Sequence, residues 1–572
     1  MKQNNNSIIS SMENDFFCLL LIFLFSFLLM LKQLVIPGYF SVMINDAHTY
    51  TSWAWQFKEA LKEGIVIPKW MPLDMWGYGS PTFIIYPPLS FYMTALFTLF
   101  TGSITTAMNI CISVAVFFSG VGVFYLVREF YDNKTALLSS LFYILLPYNI
   151  LQFYLMGSFS SKISFMWFAP TLLFTYLYGK NGRRRNLVYA SLCYGALICT
   201  HIINAYMFSF VLLAFLFYMS AYGKKTKDIA RIVTVIPIGI MLSAAYVLPL
   251  IFEKRLINLQ GFFTKGSGLY YAAHFILPDR TGEVPAGLFW PVYYKMFIMI
   301  VLFFVTAILM FYVPSLKKMQ NRDDGERKKL TTLFFFVATV SVFLLFGPSA
   351  FIWETVPFFK YIHFPVRWLN ITAFAVTMLF ASFSFLLMHN GKSSRYFHIA
   401  TAVLFFAFIY LDCHYIYRAS IFNERELVPL RVENSSIDHQ LPWVDVKILD
   451  KKSGFEKKLN ILEGKGRTQA VEWKSAERII DAEAFQAMVL RIRTFNFPGW
   501  KAYLDGREIG IKSEDKTGMI LVDVPEGTHR IKLVFEDTAV RFYGKVVSLL
   551  SVLSLLLFGL LGKRKGTKTK IG

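Results

Sequence analysis

The sequence is poor in cysteine and in charged residues, and both shortages narrow the class of protein. Five cysteines occur among 572 residues, in apolar surroundings and without metal-site spacing. We therefore predict buried free thiols, with no disulfide framework and no zinc motif. Charged residues make up 17% of the chain, whereas hydrophobic residues make up 55% and the mean hydropathy is +0.48. This composition is typical of a polytopic membrane protein.

The sequence also has no glycine-rich phosphate loop and no nucleophile elbow, which argues against soluble nucleotide-dependent chemistry. Acidic residues are scarce, because 37 Asp and Glu face 58 Lys and Arg and give a net charge of +21. The excess lies in short runs between apolar segments, such as 180–185 and 563–570. This is the charge bias of cytoplasmic loops, and it argues against nucleic-acid binding.

What the sequence has in abundance is apolar segments of about 20 residues, the length that crosses a bilayer. We predict about twelve spans, near 16–36, 105–127, 135–153, 161–179, 187–203, 204–222, 229–251, 293–314, 330–347, 367–388, 397–416 and 542–562. Glu13 and Asp15 precede the first apolar run and no small-residue cleavage site follows it. We therefore expect that run to remain as a signal-anchor span.

The orientation of the chain in the membrane decides whether a further apolar segment, 83–101, counts as a span. With this segment left out of the count, the basic runs from residue 180 onward and both chain ends lie in the cytoplasm. Pro87 and Pro88 also remove backbone donors from the segment, so we predict an interfacial or re-entrant element. The long connections 37–104, 252–292, 348–366 and 417–541 then lie on the outer face.

The last outer connection carries strand signals. Residues 530–535 alternate polar and apolar side chains, and Asp505-Gly506 separates two strand-like runs. Both features predict a small extracytoplasmic β-sandwich at 417–541. The chain would then consist of a mostly α-helical membrane domain (1–416), this β domain, and a final span with a basic tail (542–572).

The first outer loop begins with Asp46 and His48 and continues into an amphipathic stretch. Tyr50 to Leu61 predicts a helix suited to the membrane interface, and Gly64 is expected to end it. Asp46 has two interpretations. It caps a helix that begins near Ala47, as its residue type favours, or it accepts a proton from a substrate hydroxyl as a general base.

Other ionisable residues lie at the predicted outer ends of spans, and each has two interpretations. Arg367 is either a snorkelling anchor or, with His363 beside a proline at a helix start, part of an anion site. His201 is either functional or a hydrogen-bonded structural histidine. Glu253 belongs to a charged group that most simply forms a solvated helix end. Lys162 enters a span from outside and could reach a phosphate.

Several short motifs occur together in a characteristic order. They are Gly64-(x)3-Pro68-Lys69-Trp70, Gly77-Tyr78-Gly79-Ser80-Pro81, Tyr86-Pro87-Pro88-Leu89, Thr200-His201, Leu248-Pro249-(x)3-Glu253, His363-Phe364-Pro365-Val366-Arg367 and Phe497-Pro498-Gly499-Trp500. With the acid after the first span, this series resembles the bacterial YfhO-like membrane proteins. That group includes proteins labelled "6-pyruvoyl-tetrahydropterin synthase-related", and its architecture is regarded as that of the GT-C glycosyltransferases.

The resemblance implies a transferase of the bacterial cytoplasmic membrane. It would move a sugar from a polyprenyl-phosphate-linked donor to an envelope glycan or lipid acceptor on the extracytoplasmic face. The family's first-loop acid corresponds to Asp46, its span-end histidine to His201 and its Phe-Pro-x-Arg arginine to Arg367. Together with the positions discussed above, we predict Asp46 as the catalytic residue and a set of substrate-binding residues: His48, Lys162, His201, Glu253, His363 and Arg367. No metal ligand is assigned, although a divalent metal is compatible with such a site. The pterin label finds no matching His cluster here.

The chain departs from the family pattern in two places, and these departures motivate alternatives. Residues 156–161 read Met-Gly-Ser-Phe-Ser-Ser where many relatives carry Arg-Gly-(x)3-Glu, and His363 stands where Gln is usual. A catalytically degenerate envelope-assembly protein is therefore one alternative. A transporter or flippase of a lipid-linked sugar is another, although the predicted spans look poor in the ionisable residues that such a path needs.

Overall fold

The computed structural model describes residues 2–41, 44–154, 158–220, 231–258, 275, 322–389, 391–418, 420–422, 441–449 and 458–560. The chain is mostly helical, and a β-sheet domain follows near the C-terminus. The helices of the first half are α1 Lys2–Val35, α2 Ile44–Lys62, α3 Thr82–Ile85, α4 Leu89–Thr101, α5 Ile104–Arg128, α6 Asn133–Leu145, α7 Pro147–Tyr154, α8 Phe159–Ser164, α9 Phe168–Asn181, α10 Arg184–Thr200 and α11 Ile202–Ser220.

The helices of the second half are α12 Val235–Leu242, α13 Ala244–Glu253, α14 Arg322–Phe343, α15 Ala350–Thr355, α16 Leu369–Met388, α17 Gly391–Arg418 and α18 Ala539–Leu560. Short 3-10 turns connect several of them; the two that matter for the site are Phe359–Ile362 and Pro365–Trp368. Buried side chains from α1, α5, α6, α9, α11 and α16 form the largest apolar core, so these helices pack as one bundle.

Six helices within the described ranges are long and apolar enough to cross a membrane. They are Asp15–Val35, Ile104–Arg128, Ile202–Ser220, Pro365–Met388, Arg395–His414 and Ala539–Leu560, and two bent helix pairs raise the number to as many as eight. The predicted span 293–314 lies outside the described residues. Other predicted spans are broken: Pro147 divides 135–153 into α6 and α7. The count of about twelve therefore stays a prediction.

The segment 83–101 is not a single helix. Pro87 and Pro88 separate α3 from α4, and α4 has 13 residues, which rise about 20 Å along the axis. That is shorter than the ~30 Å hydrocarbon core, so α4 does not cross a bilayer by itself. Leu99 and Phe100 at its end are about four-fifths exposed. These features agree with the predicted interfacial or re-entrant element.

The amphipathic helix α2 begins earlier than predicted and is more deeply packed. It is already helical at Ile44, so Asp46 lies within the helix and not at the position that caps a helix starting near Ala47. Tyr50, Trp53 and Phe57 are buried against α3 and α4, whereas an interfacial helix would leave such residues to lipid. Gly64, with φ of +86°, follows the helix end as predicted.

The C-terminal domain consists of two antiparallel sheets. Its strands are β3 Leu459–Glu463, β4 Gly466–Trp473, β5 Glu477–Ala484, β6 Met488–Phe495, β7 Trp500–Leu504, β8 Arg507–Ile509, β9 Lys512–Ser513, β10 Met519–Val524 and β11 Gly527–Phe535. One sheet has the order β3-β6-β10-β9 and the other β4-β5-β11-β7-β8, and buried residues of both belong to one apolar core. Asp505 and Gly506 form the predicted turn between β7 and β8, with φ of 49° and 82°.

The first outer loop connects the helical bundle to this β domain. Trp70, Trp76 and Tyr78 are buried in the core of the β domain, where Tyr78 stacks on Phe495 at 5.1 Å. The backbone N–H of Phe495 donates to the carbonyl of Tyr78 at 3.0 Å. The first outer loop therefore packs between α2 and the two sheets of the β domain.

A two-stranded ribbon lies at the same end of the bundle. Tyr39–Ser41, which we number β1, pairs antiparallel with Ser420–Phe422, which we number β2. Lys32 also donates from Nζ to the carbonyl of Ile416 at 2.6 Å. The ends of α1 and α17 are therefore joined immediately before α2 begins.

Candidate functional site

A buried polar network occupies this end of the bundle and connects four helices. Asn204 in α11 donates from Nδ2 to the hydroxyls of Ser161 (3.0 Å) and Ser164 (2.7 Å) in α8. Its Oδ1 accepts from Nδ2 of Asn370 in α16 at 3.0 Å, and Asn370 Oδ1 accepts from the hydroxyl of Tyr148 in α7 at 2.8 Å. Because all five side chains are buried, the network fixes the relative positions of these helices.

His201 lies at the junction of α10 and α11 beside this network. Its Nδ1 accepts a hydrogen bond from the backbone N–H of Asn204 at 3.1 Å, so the ring caps the start of α11. This is the hydrogen-bonded structural interpretation that the sequence left open. The charge of Arg367 also acts on the ring, which places the two predicted site residues in one electrostatic environment.

Arg367 and His363 lie in the turns that precede α16. The guanidinium donates from Nη1 to the carbonyl of Ile362 at 2.8 Å and lies 5.0 Å from the ring centre of Phe364. His363 has a φ of +61°, an uncommon conformation for a residue other than glycine, and its ring meets Phe364 edge-on. Arg367 is therefore folded back onto its own loop and is not extended along a helix as a snorkelling anchor.

Lys162 in α8 is almost fully buried, with 1% of its surface exposed. Its ammonium donates to the carbonyl of Asn149 and lies 5.0 Å from the ring centre of Phe165. A cavity of about 20 Å³ adjoins it, lined also by Asn149 and Tyr143. This cavity is much smaller than a sugar, so Lys162 lies inside the helical bundle and not in an open pocket.

Asp412 in α17 is the charged residue that sequence reasoning missed. It is fully buried, and neither carboxylate oxygen accepts a hydrogen bond from any residue that the structure describes. Lys162 supplies the opposite charge that acts on it. The expectation that the spans are poor in ionisable residues stays a prediction, because Asp412 lies four residues from the end of the predicted span 397–416. A lone Asp in the apolar segment 397–416 was the available signal.

Asp46 lies at the start of α2, and its side chain is outside the described residues, so its predicted catalytic role stays a prediction. A contact made by the next turn of α2 locates the start of this helix. Tyr50, one turn after Asp46, packs its ring 6.0 Å from that of Phe159, the first residue of α8. The start of α2 therefore lies next to the helix that carries Lys162. His48, the other predicted residue of this turn, is partly buried and already interacts within the chain.

Glu253 is not a solvated helix end. Its side chain is 6% exposed and its Oε2 accepts from Nε of Arg541 in α18 at 2.9 Å, while its Oε1 accepts from the hydroxyl of Thr538 at 2.5 Å. The carboxylate is thus used in a buried ion pair between α13 and α18. Its predicted role in substrate binding stays a prediction, and the structure gives it this structural contact instead.

The Phe-Pro-Gly-Trp motif surrounds the same ion pair. Arg541 donates from Nη2 to the carbonyl of Pro498 at 2.8 Å and lies 5.6 Å from the ring centre of Phe497. Gly499 has a φ of +120°, and a Cβ there would lie 2.6 Å from the guanidinium. The motif therefore needs glycine for a close approach, and it joins the β domain to the last helix.

Asp74 is a second buried acid that sequence reasoning did not single out. Its Oδ2 accepts from Nε1 of Trp53 (3.1 Å) and from the hydroxyl of Thr82 (3.0 Å), and its Oδ1 accepts from Nε2 of Gln56 (3.1 Å). Two of these donors are on α2 and the third begins α3. Asp74 therefore folds the first outer loop onto α2, which is a structural role.

The departures at 156–161 fall in the polar network. Met156 and Gly157 lie outside the described residues, whereas Ser158 donates to Oε1 of Gln152 at 2.7 Å. Ser161 stands where the family Glu is expected, and its hydroxyl accepts from Asn204. A small hydroxyl side chain thus stands at the position of the family Glu, within a buried polar network. Within the described ranges no three His, Cys, Asp or Glu residues are grouped to hold a metal, and the compatible divalent metal stays a prediction.

A family model described as "6-pyruvoyl-tetrahydropterin synthase related domain; membrane protein" matches residues 83–420, more than half of the chain. The chain belongs to this family. The pterin-synthase-related family is a family of membrane proteins, and the apolar helices of the fold agree that the chain is an integral membrane protein. The resemblance inferred from the short motifs is thereby confirmed at the level of the family.

The structure of this family member has a loose likeness to two solved membrane enzymes. Archaeal oligosaccharyltransferase AglB from Archaeoglobus fulgidus, in complex with an inhibitory peptide and a dolichol-phosphate, matches with a TM-score of 0.40 and 13% identity over 72% of this chain and 55% of that one. ArnT from Cupriavidus metallidurans bound to undecaprenyl phosphate matches with 0.36 and 13% over 63% and 59%. The chain spans little more than half of either protein. No curated protein matches the sequence.

Proposed function

We propose that this member of the pterin-synthase-related family is a membrane glycosyltransferase of GT-C architecture. It would take a sugar from a polyprenyl-phosphate-linked donor and transfer it to an envelope glycan or lipid on the extracytoplasmic face of the bacterial cytoplasmic membrane. Both chain ends would lie in the cytoplasm, and the small β-sandwich would lie outside.

The proposal rests on the polar layer at one end of the bundle, by which we mean the buried polar network around Asn204 and Asn370 together with the charged and imidazole side chains beside it. His201, Arg367 and Lys162 come from three distant parts of the sequence, and the Asn204–Asn370 network holds their helices together. The start of α2, which carries Asp46, lies next to α8 through the contact of Tyr50 with Phe159. An acid next to several cationic or imidazole groups is the arrangement needed to activate a hydroxyl beside a departing phosphate.

The roles follow from the chemistry of the side chains. Asp46 would accept the proton of the acceptor hydroxyl as the hydroxyl oxygen bonds to the sugar and the sugar–phosphate bond breaks. Arg367 and His363 would interact with the lipid phosphate as its charge develops, and Lys162 would add positive potential from within the bundle. His48, His201 and Glu253 complete the proposed set, of which His201 and Glu253 also have the structural contacts described above.

The test is transfer of a labelled sugar from a polyprenyl-phosphate donor in isolated membranes. Asp46→Asn keeps the shape of the side chain and removes the base, so we expect the rate to fall by about 10²–10⁴. Asp523→Asn is the matched control, because that carboxylate is 58% exposed on the β domain and its ion pair among the described residues is with Lys512 at the surface. Full transfer by the Asp46 variant would rule out the proposed base.

A lipid-linked sugar transporter or flippase is the second candidate, and Asp412 favours it. A buried acid within an apolar helix is the kind of residue that transport paths use. Purified protein in vesicles would distinguish the two functions. Movement of the lipid-linked sugar across the bilayer without any transfer product would support transport, whereas a glycosylated acceptor in the same vesicles would support the transferase.

A further inference from the structure

A cavity of about 130 Å³ lies where the first outer loop, the β domain and the last helix meet. Lys69 and Trp70 line it from the loop, Phe535 and Asp537 from the end of β11, and Lys545 from α18. It adjoins Ala60 near the end of α2, about 20 Å along that helix from Asp46. The cavity is therefore separate from the polar layer described above, and it has room for a group larger than one water.

Lys69 is the unusual member of this lining. It is 6% exposed, and among the described residues its ammonium contacts the carbonyl of Ala245 at 3.0 Å and no carboxylate. Burial, together with the positive charges of Arg541 and Lys545, lowers the pKa of Lys69 to about 8. A buried cation without an opposite charge is unfavourable unless another group compensates it.

The nearby acids are already paired with other cations. Asp537 pairs with Lys545 at 2.5 Å, and Glu253 pairs with Arg541 at 2.9 Å. Lys69 is thus left as the surplus positive charge of the group. A cavity that is lined by a surplus cation is a suitable site for an oxyanion.

The position of the cavity indicates which class of oxyanion it binds. α18 begins at Ala539 and is a candidate membrane span, so Lys545 lies in its second turn, at the expected level of the lipid headgroups. Basic pockets at the ends of membrane helices bind anionic lipid headgroups. A soluble anion would gain nothing from this placement.

We propose that the cavity between Lys69 and Lys545 binds the phosphate of an anionic membrane lipid. The bound lipid joins the first outer loop to α18 and the β domain, because its phosphate compensates the charge of Lys69. The site is independent of the proposed sugar transfer, and it adds a lipid ligand at a place that the transfer reaction does not use.

The test measures thermal unfolding of the purified full-length chain in neutral detergent, with phosphatidylglycerol, phosphatidylcholine or inorganic phosphate added in increasing amounts. We expect phosphatidylglycerol to raise the melting temperature in a saturable way. Lys69→Met should need at least tenfold more of this lipid for the same increase. Lys62→Met is the matched control, because Lys62 is 63% exposed and pairs only with Glu59 on α2.

Lys545→Gln provides a second variant should Lys69→Met not fold, and we expect it also to weaken the response to phosphatidylglycerol. The proposal is overturned if the variants respond as the unmodified chain does. It is also overturned if phosphatidylcholine stabilises the chain as well as phosphatidylglycerol. An equal response to inorganic phosphate at the same concentration would show a soluble-anion site and would reject the lipid.

Discussion

Two buried acids of this chain have opposite surroundings. Asp74 in the first outer loop is 3% exposed and accepts three side-chain hydrogen bonds, two of them from α2. Asp412 in α17 is fully buried and accepts none from the described residues. The first acid thus stabilises its region, whereas the second is costly where it lies and has only the charge of Lys162 to oppose it.

The difference gives the two regions different expected roles. The carboxylate of Asp74, with its hydrogen bonds satisfied, holds the loop in one arrangement. A buried carboxylate that accepts no hydrogen bond from the described residues, as at Asp412, is retained at a cost and is a candidate for function. The polar layer around Lys162 and Asp412 is therefore the region where we expect activity to depend on charge more than on packing.

The largest effect on stability is expected at Asp74. Asp74→Ala removes the carboxylate that accepts from the buried side chains of Trp53, Gln56 and Thr82, so we expect a loss of about 3–5 kcal/mol. Denaturant unfolding of the purified chain would measure it. Asp523→Ala, at a surface pair of the β domain, should change stability by less than about 0.5 kcal/mol. Equal losses of stability in Asp74→Ala and Asp523→Ala would contradict the structural role of Asp74.

A smaller effect is expected from the pair Lys162 and Asp412. Lys162→Met leaves Asp412 without any opposite charge and should be destabilising, whereas Asp412→Asn leaves Lys162 its bond to the carbonyl of Asn149 and should cost less. The double variant should recover much of the stability lost in Lys162→Met. The coupling free energy from such a cycle should be about 0.5–3 kcal/mol, measured by the same unfolding experiment.

If the two changes are simply additive, the charges of Lys162 and Asp412 do not compensate each other. The sugar-transfer assay, applied to the same Lys162 and Asp412 variants, separates effects on function from effects on stability. Loss of transfer in Asp412→Asn at unchanged stability would support a functional acid. Unchanged transfer would make Asp412 as structural as Asp74.

The smallest effect is expected at a surface acid, Asp505, which accepts from the backbone N–H of Arg530 (2.8 Å) and contacts Nδ1 of His529 (2.7 Å). The backbone bond and the histidine lower the pKa of Asp505, and the hydrogen bond to Asp505 raises the pKa of His529. The histidine contribution is full below its ordinary pKa of 6.5 and is lost as pH rises through the raised value. The aspartate contribution is full above 3.8 and is lost as pH falls below that.

We therefore expect the unmodified chain to melt at a higher temperature than His529→Gln between those two values, and the difference to vanish at alkaline pH. Thermal unfolding at several pH values checks this. A difference that grows toward alkaline pH would contradict the sign. Because this pair is solvent-exposed, the effect should be small beside that of Asp74.

Local rules accounted for features that depend on a few neighbouring residues. The break at Pro87-Pro88 follows from the missing backbone donors, and the turn at Asp505-Gly506 follows from the positive φ that these residue types tolerate. The apolar segments and the strand alternation of β11 indicated a helical membrane protein with a β domain. The short motifs, read in order, indicated the family.

Only the tertiary structure decided which charges meet. Glu253 pairs with Arg541 almost 300 positions later in the chain, so the pairing leaves no periodic signal in the sequence. Asp74 looked like an ordinary loop residue because its partners lie on a helix that precedes it. The composition thus determined the membrane and the class of fold, whereas long-range packing decided which acids have hydrogen-bond partners among the described residues.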